Sequence, residues 1–217
     1  SPPMSHGLRR VTIGPQELEG ILTIPEPTIG LVIFAHGSGS SRLSPRNTYV
    51  AERLQERGIA TLLFDLLTEE EADDRRNVFQ LPLLASRLEE ALIWSRQDPD
   101  TAALPVGLFG ASTGSAAALV TAAKNPGQVA AVVSRGGRVD MAAEVLAQVR
   151  APTLLIVGGA DMGVLDLNED AYVVLNCKKH LHIVPGATHL FEEPGALDKV
   201  VEAAGDWFVQ YLQVQKK

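Results

Sequence analysis

Cysteine is almost absent from this sequence, and its apolar runs are short. Cys177 is the one cysteine among 217 residues, which excludes an intrachain disulfide and a cysteine-based zinc cluster. Apolar runs such as residues 29–35 are far shorter than the ~20 residues that a membrane span needs. We therefore expect a protein of a reducing compartment, the cytoplasm, with no membrane association.

Basic charge and aromatic side chains are also scarce. The formal net charge is −7, aromatic residues make up 5% of the chain, and no basic stripe with interleaved aromatics occurs. Nucleic acid is therefore excluded as an expected partner. The first residues hold no apolar signal-peptide core, and Ser1-Pro2-Pro3 ahead of Met4 is predicted to be a remnant of cloning.

The sequence does contain enough apolar material for one large core. Hydrophobic residues make up 46% and charged residues 21% of a chain whose length suits one compact unit. No internal repeat, low-complexity tract or interdomain linker is found, so residues 1–217 are predicted to form a single domain. The oligomeric state stays open.

Predicted strands and helices alternate along the chain. Residues 11–13 and 18–24 flank Gly14-Pro15 and are predicted to form an antiparallel hairpin. Six further strands are predicted at residues 31–35, 60–64, 106–109, 129–134, 153–157 and 181–184. Helices are predicted at about residues 45–57, 79–95, 115–124, 141–148, 167–176 and 197–211. This alternation predicts an α/β fold with a mostly parallel sheet, helices on both faces and ligands beyond the carboxyl ends of the strands.

A G-x-S-x-G motif, Gly110-Ala111-Ser112-Thr113-Gly114, follows one of these strands and opens a helix. A serine on such a sharp turn has a strained backbone and an exposed hydroxyl, and the close approach of strand and helix tolerates only small neighbours. The helix N-terminus also favours negative charge that develops beside it. Ser112 is the predicted nucleophile; the alternative is an ordinary glycine-rich turn.

Two further candidates follow later strands. Asp161 and His189 come after Ser112 in the chain, and serine, acid, histidine is the order that this arrangement requires. The imidazole would take the serine proton, and the carboxylate would hold the imidazole in the required tautomer. Asp166 competes for the role of the acid, whereas His180 and His182 lie at the start of a strand and compete less well for the role of the base.

The segment His36-Gly37-Ser38-Gly39 ends the strand at 31–35, where an oxyanion loop is expected. The backbone N–H groups of Thr113 and Ser38 are the predicted oxyanion donors. His36 is predicted to be structural because its side chain would point away from the nucleophile. A simple glycine-rich turn is the alternative for this loop.

These segments resemble the dienelactone hydrolase-like branch of the α/β-hydrolases over nearly the whole chain. The matching stretches are Ala35-His36-Gly37-Ser38-Gly39, Gly110-Ala111-Ser112-Thr113-Gly114, Gly158-Gly159-Ala160-Asp161 and Gly186-Ala187-Thr188-His189-Leu190-Phe191. The resemblance implies an α/β-hydrolase fold, triad roles for Ser112, Asp161 and His189, and hydrolysis of carboxylic esters or lactones. Dienelactone hydrolases proper use a cysteine nucleophile where this chain has Ser112, so the resemblance implies acyl-transfer chemistry rather than dienelactone as the substrate.

The expected substrate is a small-molecule ester or lactone, and no metal or organic cofactor is implied. The space between Ser134 and the next strand leaves room for a short helix and not for a large cap domain. Arg42 and Arg135 are candidate ligands for a substrate carboxylate, with Arg46 and Arg138 on the same rim. The alternative for these arginines is ion pairing with acidic residues that also follow strands, Asp65, Glu69 and Asp140.

Other functions compatible with the same three residues are cleavage of thioesters or small peptides and transfer of acyl groups. A non-catalytic binding module on this fold is the alternative from a different class, because a fold does not imply a function. All three triad positions are occupied by the required residue types in this sequence. A catalytic interpretation is therefore preferred.

Overall fold

The computed structural model describes residues 7–213, and the strands within that range form one sheet. The eight strands are Gly7–Ile13 (β1), Leu18–Ile24 (β2), Gly30–Ala35 (β3), Ile59–Phe64 (β4), Val106–Ala111 (β5), Ala131–Arg135 (β6), Thr153–Gly158 (β7) and Lys179–Val184 (β8). Their spatial order is β1-β2-β4-β3-β5-β6-β7-β8.

The sheet is antiparallel at one edge and parallel elsewhere. β1 and β2 form the predicted hairpin, with Ile13 opposite Leu18, and β2 pairs antiparallel with β4. The five remaining pairings, from β4 through β3 to β8, are all parallel. The predicted mostly parallel sheet is confirmed, and the carboxyl ends of β3 to β8 meet at one edge.

Helices cover both faces of the sheet, as predicted. They are Pro45–Gln55 (α1), Glu69–Ala72 (α2), Leu81–Gln97 (α3), Thr113–Lys124 (α4), Met162–Val174 (α5) and Ala196–Tyr211 (α6), with short 3-10 helices at Asn77–Phe79 and Val139–Gln148. Within β3, Leu31 and Ile33 pack into the core beneath α3 and α4, whereas Val32 and Phe34 pack beneath α1 and α6. This alternation explains why β3 is buried along its whole length.

Some predicted boundaries differ from the structure. Helix α5 begins at Met162 and not near residue 167, because Asp161 occupies its N-cap position directly after the turn that ends β7. The segment at Val139–Gln148 is a 3-10 helix interrupted at Ala142, not a regular α-helix. The short helix α2 falls in the acidic stretch, where Thr68 and Glu71 form a capping box.

Within residues 7–213, no separate cap domain covers the sheet edge, as predicted. No helix in this range is long and apolar enough to cross a membrane. The prediction for Ser1-Pro2-Pro3 and Met4 lies outside the described residues.

Candidate active site

Ser112 sits on a strained turn between β5 and α4. Its backbone has φ +52° and ψ −121°, a left-handed conformation that is rare for a residue with a side chain. A Cβ added to Gly114 would lie 2.0 Å from the carbonyl oxygen of Ala35, and one added to Gly110 would lie 2.5 Å from Cα of Ser115. The two glycines therefore permit the close approach of strand and helix that exposes the Ser112 hydroxyl.

The structure brings the three predicted triad residues together from three loops. The Ser112 Oγ lies 2.9 Å from Nε2 of His189. Nδ1 of the same imidazole lies 2.8 Å from Oδ2 of Asp161. The Asp161 side chain is 15% exposed and the His189 side chain 39%, so the carboxylate is the more shielded member of the pair. Hydroxyl, imidazole and carboxylate thus form one hydrogen-bonded row.

The loop that carries His189 is held by its own hydrogen bonds. The Thr188 backbone N–H donates to Oε1 of Glu193 at 3.1 Å, and the Thr188 hydroxyl donates to Oε2 at 2.5 Å. These bonds lower the pKa of Glu193 because they favour its charged form. Two residues after His189, the Phe191 side chain is buried in the core, and its backbone has φ +55°. This burial anchors the loop on the far side of His189.

The competing acid and bases lie elsewhere. Asp166 is exposed on α5, whereas Asp161 contacts the imidazole. His180 and His182 lie on β8 with ring centroids 6.4 Å apart and line a separate cleft beside Trp207. The structure brings none of these three residues into a hydrogen bond with Ser112 or His189.

The predicted oxyanion loop packs directly against the serine. A Cβ added to Gly37 would lie 2.9 Å from Cβ of Ser112 and 3.4 Å from its Oγ. The Ser38 N–H donates to no backbone acceptor within residues 7–213. Thr113 is the first residue of α4, so its N–H has no acceptor inside the helix. Within residues 7–213, neither N–H group is engaged by a backbone acceptor.

His36 links this loop to the end of β4. Its Nε2 accepts a hydrogen bond from the Leu66 N–H at 3.0 Å, so the ring proton sits on Nδ1, which donates to the Gly37 carbonyl at 2.9 Å. Burial lowers the pKa of His36 and keeps the ring neutral, although the Gly37 bond acts in the opposite direction. Through these two bonds the His36 side chain stabilises the loop, and it forms no hydrogen bond with Ser112.

Two clefts meet at the oxyanion loop. One, of about 390 Å³, has an apolar wall that includes Leu67, Val78 and Leu84. The other, of about 460 Å³, contains Ser112 and is lined largely by serines of the loop and by Arg46 and Arg135. The cleft that contains Ser112 is therefore polar and basic, and it adjoins a cleft with an apolar wall.

Arg42 and Arg135, the two arginines singled out from the sequence, have different surroundings. The Arg42 guanidinium donates to Asp65 at 2.7 Å, and its backbone N–H donates to the same carboxylate, also at 2.7 Å. Arg135 is 7% exposed and contacts Asn47 Oδ1 at 3.3 Å, while its Nε has no partner within the described range. Burial lowers the pKa of Arg135 to about 10, and the nearby Arg46 adds to the shift.

Asn47 was not predicted from the sequence as a residue of this site. It lies on the buried face of α1 together with Val50, Ala51 and Leu54. A polar residue on the apolar stripe of a helix indicates a specific partner, and here that partner is Arg135. The stripe spacing therefore held a usable signal.

Among residues 7–213, no three His, Cys, Asp or Glu side chains are grouped so that they could hold a metal ion.

Comparison with known proteins identifies the family and the fold of the chain. A family profile described as alpha/beta hydrolase domain matches residues 28–204. The crystal structure of a dienelactone hydrolase from Anabaena variabilis is 55% identical, covers 96% of this chain and 99% of its own, and superposes with a TM-score of 0.92. Est1E from Butyrivibrio proteoclasticus has the same fold at 16% identity, with 95% and 99% coverage and a TM-score of 0.78.

A curated relative carries a different kind of name. The putative phosphoribosyl transferase of Mycobacterium tuberculosis is 58% identical over 211 residues, which are 97% of this chain and 48% of that protein. The chain thus spans about half the length of the curated relatives that it matches. The profile and the 55% identical structure together show that the chain belongs to the α/β-hydrolases, in their dienelactone hydrolase-like family.

Proposed function

We propose that this chain is a serine hydrolase that cleaves carboxylic esters or lactones through an acyl-enzyme on Ser112. The observation that carries the proposal is the row of hydrogen bonds, 2.9 Å from Ser112 Oγ to His189 and 2.8 Å from His189 to Asp161. Hydrogen bonds of this length are what proton transfer between nucleophile and base requires.

In the first half-reaction, Oγ of Ser112 attacks the substrate carbonyl as Nε2 of His189 takes the hydroxyl proton. Asp161 stabilises the resulting imidazolium through Nδ1. The N–H groups of Thr113 and Ser38 donate to the oxyanion of the tetrahedral intermediate, and loss of one such donor costs ~3 kcal/mol of transition-state stabilisation. The imidazolium then gives its proton to the leaving alkoxide, which departs as the alcohol.

In the second half-reaction, His189 takes a proton from water as the water oxygen attacks the acyl carbonyl. Collapse of the second tetrahedral intermediate returns the proton to Ser112 and releases the carboxylic acid. No atom outside the substrate, water and these residues is needed. The same steps apply to a thioester, to a small peptide, or to another acyl acceptor in place of water. The similarity to a dienelactone hydrolase at 55% identity favours an ester or lactone.

The name of the curated relatives leads to a second proposal. It belongs to proteins about twice as long as the segment that this chain matches. Because the hydrolase family profile accounts for residues 28–204, we propose that phosphoribosyl transfer is an activity of the other half of those proteins. This chain alone should then show no transfer from phosphoribosyl diphosphate to a base.

A fluorophosphonate probe tests the nucleophile. Wild-type protein should gain one probe mass, located on Ser112 by peptide mass spectrometry, and Ser112→Ala should gain none. Ser115→Ala is the matched control, because Ser115 lies one turn along α4 with its hydroxyl bonded to Ser134 and not to the imidazole. Labelling of Ser112→Ala at the wild-type rate, or a folded wild-type protein that never labels, would contradict the proposal.

A further inference from the structure

Arg135 is a buried cation without a carboxylate partner at the edge of the Ser112 cleft. It is the last residue of β6, which lies beside β5, and the backbone N–H of Ser112 donates to its carbonyl oxygen at 3.3 Å. Only 7% of Arg135 is exposed, and no Asp or Glu within residues 7–213 forms an ion pair with it. An arginine cannot escape the cost of burial by losing its proton at ordinary pH, so such a charge calls for an anion.

The contacts that Arg135 does make leave its hydrogen-bonding capacity largely unused. One terminal nitrogen donates to Oδ1 of Asn47 at a long 3.3 Å, and Nε has no partner in the described part of the chain. The guanidinium carbon lies 6.0 Å from the centre of the Phe191 ring. A planar fork with five donors is suited to bind a carboxylate or phosphate through two parallel bonds.

The rest of the cleft matches an anion as well. Its lining contains two cations, Arg46 and Arg135, and no acidic residue. Arg46 is only weakly engaged, with Nε donating to the Leu190 carbonyl at 2.8 Å and a terminal nitrogen 3.7 Å from Glu192. Ser44 lines the same cleft as the N-cap of α1, where its hydroxyl forms no capping bond and the first turn has no acidic residue.

The neighbouring cleft, the one with the apolar wall of Leu67, Val78 and Leu84, is unsuited to an anion. Its arginine, Arg42, is already paired with Asp65, and Glu69 also lines it. A negative substrate group would therefore be repelled from that side and attracted to the side of Arg135.

We propose that Arg135, with Arg46, binds an anionic group of the substrate, a carboxylate or a phosphate, in the cleft beside Ser112. This inference rests on the proposed role of Ser112. It specifies the substrate as an ester or lactone with a negative charge on the Arg135 side of the scissile bond. Arg135 thereby determines specificity and orientation, while the chemical step belongs to Ser112, His189 and Asp161.

Matched acetate esters test the proposal. The neutral member is methyl 4-acetoxybenzoate, and the anionic members are 4-acetoxybenzoate and 4-acetoxyphenyl phosphate, each also used as its 3-isomer. For the preferred anion, Arg135→Met should lower kcat/KM about 10- to 100-fold, mainly through KM, and leave the neutral ester within about twofold. Arg135→Lys, which keeps the charge and loses the fork, should fall between, and it serves if the Met variant does not fold.

Arg53→Met is the charge-matched control, because Arg53 lies on the same helix as Arg46 but pairs with Glu56 at the surface. Arg53→Met should leave kcat/KM unchanged for both the neutral and the anionic esters. The comparison of carboxylate with phosphate identifies which anion the cleft accepts. Equal losses on neutral and anionic esters in Arg135→Met, or no loss on either, would overturn the proposal.

A binding measurement separates failure of this inference from failure of the proposed function. Benzoate and phenyl phosphate should each be titrated against Ser112→Ala protein while its Tm is followed, which requires no catalysis. A rise in Tm that Arg135→Met abolishes supports the anion site even if no ester is hydrolysed. If neither anion raises the Tm of Ser112→Ala while wild-type protein is labelled at Ser112 by the fluorophosphonate, the anion site is refuted and the hydrolase proposal stands.

Discussion

Replacing Asp161 by asparagine is the sharpest test of how the imidazole is oriented. The substitution keeps the size of the side chain and removes one charge and one acceptor oxygen. In the structure that oxygen, Oδ2, lies 2.8 Å from Nδ1 of His189, and no other acid between residues 7 and 213 forms a salt bridge with the ring. Two consequences follow, one electrostatic and one concerning the tautomer.

The electrostatic loss can be worked from the geometry. Charge centres about 4 Å apart attract by about 4 kcal/mol at an effective dielectric constant of 20. Because the His189 side chain is 39% exposed, we lower this to about 3 kcal/mol, which is about 150-fold in rate. An asparagine amide that donates to Nδ1 would also place the ring proton on Nε2, where Ser112 needs a lone pair, and so we expect a total loss in kcat of about 10³- to 10⁴-fold.

The assay is kcat for a neutral acetate ester, together with the rate of fluorophosphonate labelling, since both require an activated serine. Asp166→Asn is the matched control; it removes the same charge from an exposed position on α5 and should stay within about twofold of wild type. A loss below tenfold in Asp161→Asn, or a larger loss in Asp166→Asn, would refute the assigned acid.

Three stability predictions follow from other contacts. Gly114→Ala should lower the free energy of unfolding by about 2 kcal/mol or more, measured by urea denaturation, because its Cβ would meet the Ala35 carbonyl at 2.0 Å. The pKa of His36 is lowered in the folded protein, so its contribution to stability is complete above the unfolded pKa of 6.5 and is lost as the pH falls below that value. In His36→Gln, this part of the dependence of Tm on pH should disappear. Glu71→Gln should lower the free energy of unfolding, measured by urea denaturation, by about 1–3 kcal/mol, because it leaves the 5% exposed Arg87 side chain without its ion pair.

Controls and contrary outcomes can be stated for these stability predictions. Gly163→Ala serves as control for Gly114, because nothing lies within 4 Å of its added Cβ, and it should be neutral or stabilising. An unchanged pH slope in His36→Gln would mean that other groups carry the dependence. The bond to Arg87 lowers the pKa of Glu71 from 4.5 to about 2, so the pair should contribute its full stability above pH 4.5 and lose it progressively as the pH falls towards 2.

The fold was predictable from the sequence because strand and helix differ in apolar period. β3 and β4 are buried on both faces and appear as continuous apolar runs, and α6 shows its buried stripe directly. The start of α5 was not predictable in this way, because only Asn168 and Ala171 of that helix are buried and they form no long apolar stripe. A helix that faces solvent over most of its surface gives little periodic signal, so its start depends on the turn before it.

The juxtaposition of Ser112, Asp161 and His189 was predictable for a topological reason. In a parallel sheet the carboxyl ends of neighbouring strands share one edge, so the loops that follow β5, β7 and β8 lie at that same edge whatever their separation in the chain. The individual hydrogen bonds were not predictable, because an error of one residue in a loop moves a side chain by several ångströms.

The different surroundings of Arg42 and Arg135 follow from strand order, which the sequence alone left open. β3 lies beside β4, so the loop after β3 meets the loop after β4, and Arg42 finds Asp65. β6 lies between β5 and β7, and the acid that follows β7 is Asp161, which is already bonded to His189. Arg135 is therefore flanked by loops whose polar groups are committed to the triad geometry. Under the proposal made above, the anion that pairs with Arg135 is a charged group of a substrate bound in the Ser112 cleft.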